Sequence, residues 1–283
     1  MICGNKENDM KKYKAILADI DGTLVSKGET IMPLTKKMIT LLHERGVSFG
    51  LATGRPITDA MFMKKDDWGL SFDFDMLVGM NGGMVWTKQT NKVESFFELD
   101  EATLREILEM MAPLGLNASI YEGQGMVSMY MDELTHASMK RNHMKVTISN
   151  GDMERLCMHP SSNILYRYNL PDEERILAYI DGHANPKYVA IRTFPGIIEF
   201  MDPRMDKGNG LRMYAERAGI DASQIVGFGD MDNDIALLKA AGLGVCMQNG
   251  SDGTKAIADE ITAYPCWQDG MGRWLESHLD LFI

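Results

Sequence analysis

The sequence has few cysteines, and none of them has the spacing of a metal-binding or redox motif. The four residues Cys3, Cys157, Cys246 and Cys266 are scattered along the chain without a C-x-x-C pair. Zinc modules and small disulfide-stabilised folds need closely spaced cysteines, so this pattern argues against both and favours a reducing compartment. We therefore expect a cytoplasmic protein.

Long apolar runs and excess positive charge are also missing. No stretch of about 18 apolar residues could span a bilayer, and the polar start MICGNKENDMKKYK lacks the apolar region of a signal peptide. The chain has 29 Lys and Arg against 40 Asp and Glu, a net charge of −11. Nucleic acids and anionic membranes repel such a surface, so we expect neither partner. A small molecule is the expected partner, and the oligomeric state stays open.

The length and the order of predicted elements indicate two domains of the α/β type. A chain of 283 residues corresponds to about two domains at roughly 150 residues each. From Lys14 onward, short apolar strands alternate with helical patterns, one of which spans residues 34–45 and stops at Gly46. This alternation predicts a Rossmann-like, doubly wound parallel sheet.

The pattern changes after about residue 87 and predicts an inserted α+β domain. Helices with clear starts, such as the one after Asp100, lie there among β-rich stretches. The core pattern is expected to resume after Phe194 with the strand GIIEFM. We therefore predict a discontinuous core, residues 10–86 and 194–283, interrupted by a domain at 87–193.

Two carboxylates follow the first predicted strand. In ILADIDGTLV, Asp19 and Asp21 are two residues apart, and such side chains point to the same side of an extended segment. Ligands bind at the carboxyl ends of strands in open parallel sheets. The pair suits a nucleophile and a general acid beside a metal ion. Taken alone, it is equally compatible with an acidic strand end and a turn.

Three further signals follow in order along the chain. Thr53 and Gly54 end the second predicted strand, where a hydroxyl and backbone N–H groups can hold a phosphoryl oxygen. Lys207 begins a helix, and GFGDMDND ends a later strand with several aspartates. Each signal alone has a plain explanation: a turn, a solvated charge, or helix capping. Their occurrence together favours one phosphate and metal site.

With these motifs the chain resembles the haloacid dehalogenase superfamily, specifically the Cof-type phosphatases with a large α/β cap inserted in the core. DIDGT, TGR, the motif lysine and GDxxND occur in the family order from about Lys14 to the C-terminus. The resemblance implies a Mg²⁺-dependent phosphatase. It makes Asp19 the nucleophile that becomes an aspartyl-phosphate, and Asp21 the general acid and base.

The same resemblance implies the remaining ligands. Lys207 and Asn233 would hold the phosphate together with Thr53 and Gly54. The Mg²⁺ ligands would come from Asp19, from the carbonyl of Asp21, and from Asp230 and Asp234. We leave Asp232 out of the site, because its side chain is expected to face solvent.

Several different functions fit the sequence less well. DMDND fails as a calcium loop because Ile235 and Ala241 stand where glycine and glutamate are required. A nucleotide-binding Rossmann oxidoreductase lacks its glycine pattern, and His136 and His143 have no partner ligands in the sequence. A phosphomutase and a non-catalytic phosphate-binding regulatory module stay open as alternatives. A sizeable cap favours small substrates: sugar phosphates first, then pyridoxal phosphate or flavin mononucleotide.

Overall fold

A computed structural model of the protein describes residues 13–26, 30–142, 144–194 and 196–283. Residues 10–12 of the predicted core and His143 lie outside these ranges. The chain divides into two compact units, each with its own sheet. The first unit comprises the residues up to Thr53 together with Phe62–Val93 and Asp206–Ile283, and the second comprises Gly54–Met61 and Glu94–Met205.

An eight-stranded sheet forms the centre of the first unit. Its strands lie side by side in the order β14 (Glu260–Ile261), β13 (Leu243–Cys246), β12 (Ile225–Gly229), β1 (Ala15–Ala18), β2 (Ser48–Ala52), β3 (Met76–Gly79), β4 (Met84–Thr87) and β5 (Lys92–Ser95). The strands from β14 to β3 are parallel, and β4 is antiparallel to β3.

The described helices follow the predicted alternation with the strands. They are α1 (Pro33–Glu44), α2 (Asp59–Asp67), α3 (Glu101–Met111), α4 (Glu133–Asn142), α5 (Met153–Leu156), α6 (Glu173–Asp181), α7 (Lys207–Ala218), α8 (Ile235–Ala240), α9 (Asp252–Ile257) and α10 (Gly270–Ser277). The chain leaves α1 through Gly46, whose φ of 88° suits glycine and explains why the helical pattern stops there.

Helices cover both faces of the central sheet. Successive residues of a strand point to opposite faces, and Gly227 and Phe228 of β12 show what lies on each. Phe228 packs edge-on against Trp274 of α10, with ring centroids 5.2 Å apart. A Cβ on Gly227 would instead point at Leu237 of α8. The sheet is therefore doubly wound, which confirms the predicted α/β class. It also explains why β1 is a continuous apolar run.

The second unit is an α+β module. Its six-stranded sheet has the order β10 (Val189–Phe194), β11 (Ile197–Met201), β9 (Ile164–Arg167), β6 (Asn117–Glu122), β7 (Gly125–Ser128) and β8 (Lys145–Ile148). One apolar cluster joins this sheet to α3 and α6, with Leu104, Ile107 and Ile176 fully buried. The side chain of Asp100 accepts a hydrogen bond from the Thr103 N–H (2.7 Å) and begins α3, as predicted.

The strand that was expected to resume the core belongs elsewhere. Ile197–Met201, the sequence GIIEFM without its first residue, pairs antiparallel with both β9 and β10 in the six-stranded sheet. Placing it in the core sheet was wrong. A short apolar strand has the same residue pattern in either sheet, so only the pairing partner distinguishes the two positions.

Candidate active site

Three neighbouring strands end at one edge of the central sheet and carry the first site residues there. β12, β1 and β2 are parallel and adjacent, with Ala18 in register with Phe228 on one side and Leu51 on the other. Asp19 follows β1, Thr53 follows β2, and Asp230 follows β12 directly. All three side chains are buried. The strand order thus brings together residues that are far apart in sequence.

Lys207 places a buried positive charge at this site. It is the first residue of α7 and its side chain is 0% exposed. Its Nζ lies 2.6 Å from Oδ1 of Asp19 and 2.5 Å from Oδ1 of Asp234. The start of α7 is fixed one residue earlier, because the side chain of Asp206 accepts a hydrogen bond from the Asn209 N–H. Lys207 is therefore a buried ion-pair partner and not a solvated charge.

The loop after β12 is organised by Asp234. Its Oδ2 accepts hydrogen bonds from the N–H groups of Asp230 (2.9 Å) and Met231 (3.1 Å), while its Oδ1 faces Lys207. Asp230 is fixed from the other side, since its Oδ1 accepts a hydrogen bond from the Thr23 hydroxyl at 2.9 Å. The GDxxND segment therefore presents one carboxylate to the site and uses another to hold its own backbone.

Burial controls the protonation of these carboxyl groups. Burial raises the pKa of Asp19 to about 8, although Lys207 opposes the rise, and Asp234 adds to it. Burial and the charge of Asp234 raise the pKa of Asp230 to about 7. Burial lowers the pKa of Lys207, but the two carboxylates beside it raise that pKa by more, so the lysine stays charged.

The donor set fits a divalent metal ion. Carboxylate oxygens of Asp19, Asp230 and Asp234 all lie within 4.8 Å of one another. Three buried carboxylates face the single charge of Lys207, so the cluster is short of positive charge when ionised. Mg²⁺ prefers oxygen ligands and is bound by few carboxylates, because it keeps several of its waters. Among the described residues, His136 belongs to no such cluster.

The other predicted residues are placed as follows. Asp21 is exposed. Its charge adds to the larger effects of burial and of Asp234 in raising the pKa of Asp230, so Asp21 lies near the cluster. Asn233 is exposed, and its Nδ2 donates to Oδ1 of Asn81 at 3.3 Å. Gly54 follows Thr53 but belongs to the second unit, so its part in the site stays a prediction. Asp232 is exposed, and its carboxylate accepts from the Ser251 hydroxyl.

Sequence reasoning missed two residues of this region and left a third open. Thr23 contacts Asp230, and Asn249 donates from its side-chain amide to the Gly22 carbonyl at 2.8 Å. Asn81, which a turn explained equally well, is buried and donates its N–H to the Thr53 carbonyl. The threonine of DIDGT could have been found from its position in the motif. Asn249 has no spacing signal, because its partner lies 227 residues away.

Comparison with known proteins decides the family. The sequence profile of the haloacid dehalogenase-like hydrolases matches residues 16–275. The chain belongs to this family. It is 27% identical over 275 residues to the 5-amino-6-(5-phospho-D-ribitylamino)uracil phosphatase YitU of Bacillus subtilis, which covers 94% of this chain and 97% of that protein. With such relatives, the chain is a phosphatase of the family.

Solved structures of the family share the fold of this phosphatase. A haloacid dehalogenase-like hydrolase from Bacteroides thetaiotaomicron aligns with a TM-score of 0.81 at 23% identity, covering 94% of this chain and 99% of that one. A sugar phosphatase of subclass IIB aligns with a TM-score of 0.77 at 22% identity, covering 95% and 100%. In the described part of this phosphatase, no helix has the length and apolar character to cross a membrane.

Proposed function

We propose that this phosphatase hydrolyses small phosphomonoesters, sugar phosphates in particular, through an aspartyl-phosphate and with Mg²⁺ as cofactor. The observation that carries the proposal is the buried ion pair between Lys207 and Asp19, with Nζ 2.6 Å from Oδ1. A cation fixed beside a nucleophilic carboxylate also lies beside the phosphoryl oxygens of any group that this carboxylate attacks. Positioning and charge neutralisation of this kind are the main requirements of phosphoryl transfer.

In the first step a carboxylate oxygen of Asp19 attacks phosphorus. A new oxygen–phosphorus bond forms, and the bond between phosphorus and the ester oxygen breaks. Asp21 gives its proton to the departing oxygen, which leaves as an alcohol. The exposed position of Asp21 suits this role, because the proton can be replaced from solvent.

In the second step water attacks the phosphorus of the aspartyl-phosphate. Asp21, now ionised, accepts a proton from that water, and the bond between phosphorus and Asp19 breaks. Inorganic phosphate leaves, Asp19 is again a carboxylate, and Asp21 again carries a proton. We assign the phosphoryl oxygens to Lys207, the Thr53 hydroxyl, the Gly54 N–H and the Asn233 amide.

The metal ion would be held by Asp19, the carbonyl of Asp21, and Asp230, with Asp234 in support. When bound, Mg²⁺ supplies positive charge that favours the ionised nucleophile and the negative phosphoryl oxygens. The need for such charge follows from the raised pKa values of Asp19, about 8, and Asp230, about 7. Lys207 offsets only part of the charge of the three carboxylates around it.

The names of related proteins support a substrate class. The name of the Bacillus relative describes a phosphate ester of a ribityl group, and one structural neighbour is a sugar phosphatase. Both names describe phosphates on polyhydroxylated carbon chains. We therefore propose a sugar or sugar-alcohol phosphate as the substrate.

A panel of phosphorylated metabolites tests this function. Free phosphate release would be measured with Mg²⁺ for sugar phosphates, pyridoxal phosphate and flavin mononucleotide, and each would be ranked by kcat/KM. We expect sugar phosphates to rank first, EDTA to stop release, and Asp19→Asn to abolish it while the exposed Asp66→Asn retains it. Isomerised product without free phosphate would indicate a mutase, and no turnover of any compound would favour a binding module.

A further inference from the structure

Asn249 connects three segments around the proposed metal site. It lies three residues after β13, and its side chain is half-buried. Its Oδ1 accepts a hydrogen bond from the Cys266 N–H at 2.8 Å, and its Nδ2 donates to the Gly22 carbonyl at 2.8 Å. The same Nδ2 lies 3.5 Å from Oδ2 of Asp230. One amide thus contacts the loop after β1, the loop after β12 and the segment that precedes α10.

The orientation of this amide is determined by its partners. A backbone N–H such as that of Cys266 can only donate, so the side-chain oxygen of Asn249 must face it. The NH₂ group then faces two acceptors, the Gly22 carbonyl and the Asp230 carboxylate. The reverse orientation would set donor against donor on one side and acceptor against acceptors on the other. Asn249 therefore directs its NH₂ group, the positive end of the amide dipole, at the loops that follow β1 and β12.

The contact with Gly22 completes the fixation of a turn whose φ of 92° requires glycine. The N–H of Gly22 donates to the Val25 carbonyl at 2.9 Å. Because the peptide unit is planar and trans, that bond also directs the preceding carbonyl, which belongs to Asp21, the opposite way. The bond from Asn249 holds the peptide unit on the other side of Gly22. Together the two bonds fix both peptide planes that flank the glycine.

The turn also packs directly on Asp230. A Cβ at Gly22 would lie only 2.3 Å from Oδ2 of Asp230, the oxygen that faces Asn249. The other oxygen, Oδ1, accepts the hydroxyl hydrogen bond of Thr23. The direction of the Asp21 carbonyl and the rotation of the Asp230 carboxylate therefore depend on one packed arrangement, and the amide of Asn249 braces it from the side of β13.

We propose that Asn249 is a positioning residue of the magnesium site, which sets the Asp21 carbonyl and the Asp230 carboxylate in the geometry that binds the ion. This inference rests on the proposed Mg²⁺-dependent function. Asn249 acts through its neighbours and needs no contact with the ion or with substrate. Groups that orient metal ligands in this way typically change metal affinity by roughly 10- to 100-fold when they are removed.

The test compares Asn249→Ala with Gln248→Ala, a matched truncation at the exposed neighbouring position of the same loop. Isothermal titration with Mg²⁺ in the absence of substrate measures the Kd. Melting in EDTA measures the stability of the metal-free protein. We expect a Mg²⁺ Kd that is roughly 10-fold or more weaker in Asn249→Ala and unchanged in Gln248→Ala. Asn249→Ser, which is also too short to bridge the two segments, serves if the alanine variant does not fold.

Each outcome distinguishes a positioning role from a purely structural one. The inference is overturned if either Asn249 variant has a Mg²⁺ Kd within about twofold of the wild-type value. This holds even if the metal-free variant melts at a lower temperature, because Asn249 then only stabilises its loop. A wild type that binds no Mg²⁺ contradicts the proposed function itself, and the inference with it. Recovery of kcat at high Mg²⁺ in Asn249→Ala supports the inference, since excess ion compensates for weaker binding.

Discussion

Replacement of Asp19 by asparagine is expected to stabilise the metal-free protein while it abolishes phosphate release. Burial chiefly raises the pKa of Asp19 from 3.8 to about 8. A carboxyl group whose pKa is raised on folding contributes stability that is fully present below its unfolded pKa and is lost as the pH rises through its folded pKa. The stability of the metal-free protein should therefore fall between about pH 4 and pH 8.

The size of the effect follows from that interval. At pH 7 the folded carboxyl keeps a proton that the unfolded chain has released. This lowers the free energy of unfolding by at most about 4 kcal/mol relative to pH 4, at about 1.4 kcal/mol per pH unit. Asparagine has a similar shape and, like the protonated carboxyl, is a neutral acceptor for Lys207, so it avoids this cost. We expect a gain of up to about 4 kcal/mol, at roughly 2–4 °C in Tm per kcal/mol.

The assay is thermal melting in EDTA at several pH values between 4 and 8.5, with wild type, Asp19→Asn and the exposed control Asp66→Asn. The advantage of Asp19→Asn should be absent near pH 4 and largest near pH 8, whereas Asp66→Asn should follow the wild type. Saturating Mg²⁺ should reverse the order, because ligand binding stabilises only the protein that retains the site. If Asp19→Asn melts at or below the wild type in EDTA at every pH, burial of the Asp19 carboxyl carries no such cost.

Three further expectations concern the same site. The Mg²⁺-induced increase in Tm should grow from pH 6 to pH 8.5, because Asp19 and Asp230 must lose their protons to bind the ion. An increase in Tm that does not depend on pH would contradict this ligand set. Lys207→Met should lower kcat at least about 100-fold. It should also lower the free energy of unfolding by about 3 kcal/mol at pH 8, and by less at pH 5, because Asp19 is protonated there. Equal melting of this variant and the wild type at pH 8 would contradict the ion pair. Gly22→Ala should lose Mg²⁺ binding, since its Cβ would lie 2.3 Å from Oδ2 of Asp230. Gly46→Ala has a similar φ of 88° but an unobstructed Cβ, so it should cost about 1 kcal/mol and keep full activity in the phosphate assay; loss of activity in both variants would point to backbone strain alone.

The fold class could be predicted from the sequence because the alternation of strands and helices depends on local residue patterns. Strand ends are marked by short apolar runs followed by polar residues, and Asp19, Thr53 and Asp230 were placed correctly after β1, β2 and β12 for that reason. Topology then brings these strands together, so motif order was sufficient to group their ends. The catalytic roles given to these residues stay proposals.

Features that depend on long-range partners could not be predicted. Lys207 reads as a charged residue at a helix start, and only the fold shows it buried between two carboxylates. Asn249 has no motif, because its function in the network depends on Gly22 and Cys266, each in a different loop. The strand Ile197–Met201 was misplaced because strand pairing, unlike strand formation, is decided by residues elsewhere in the chain.

The strand order of the central sheet has a consequence for synthesis on the ribosome. β1 is made before β2 and before the second unit, but its neighbour β12 begins only at Ile225, after the whole second unit has been made. Until then β1 is an apolar strand with an open edge, the kind of edge that pairs readily with other chains. β12 closes this edge just before Asp230 joins Asp19. The step that protects the nascent sheet from aggregation therefore leads directly into assembly of the cluster of buried carboxylates.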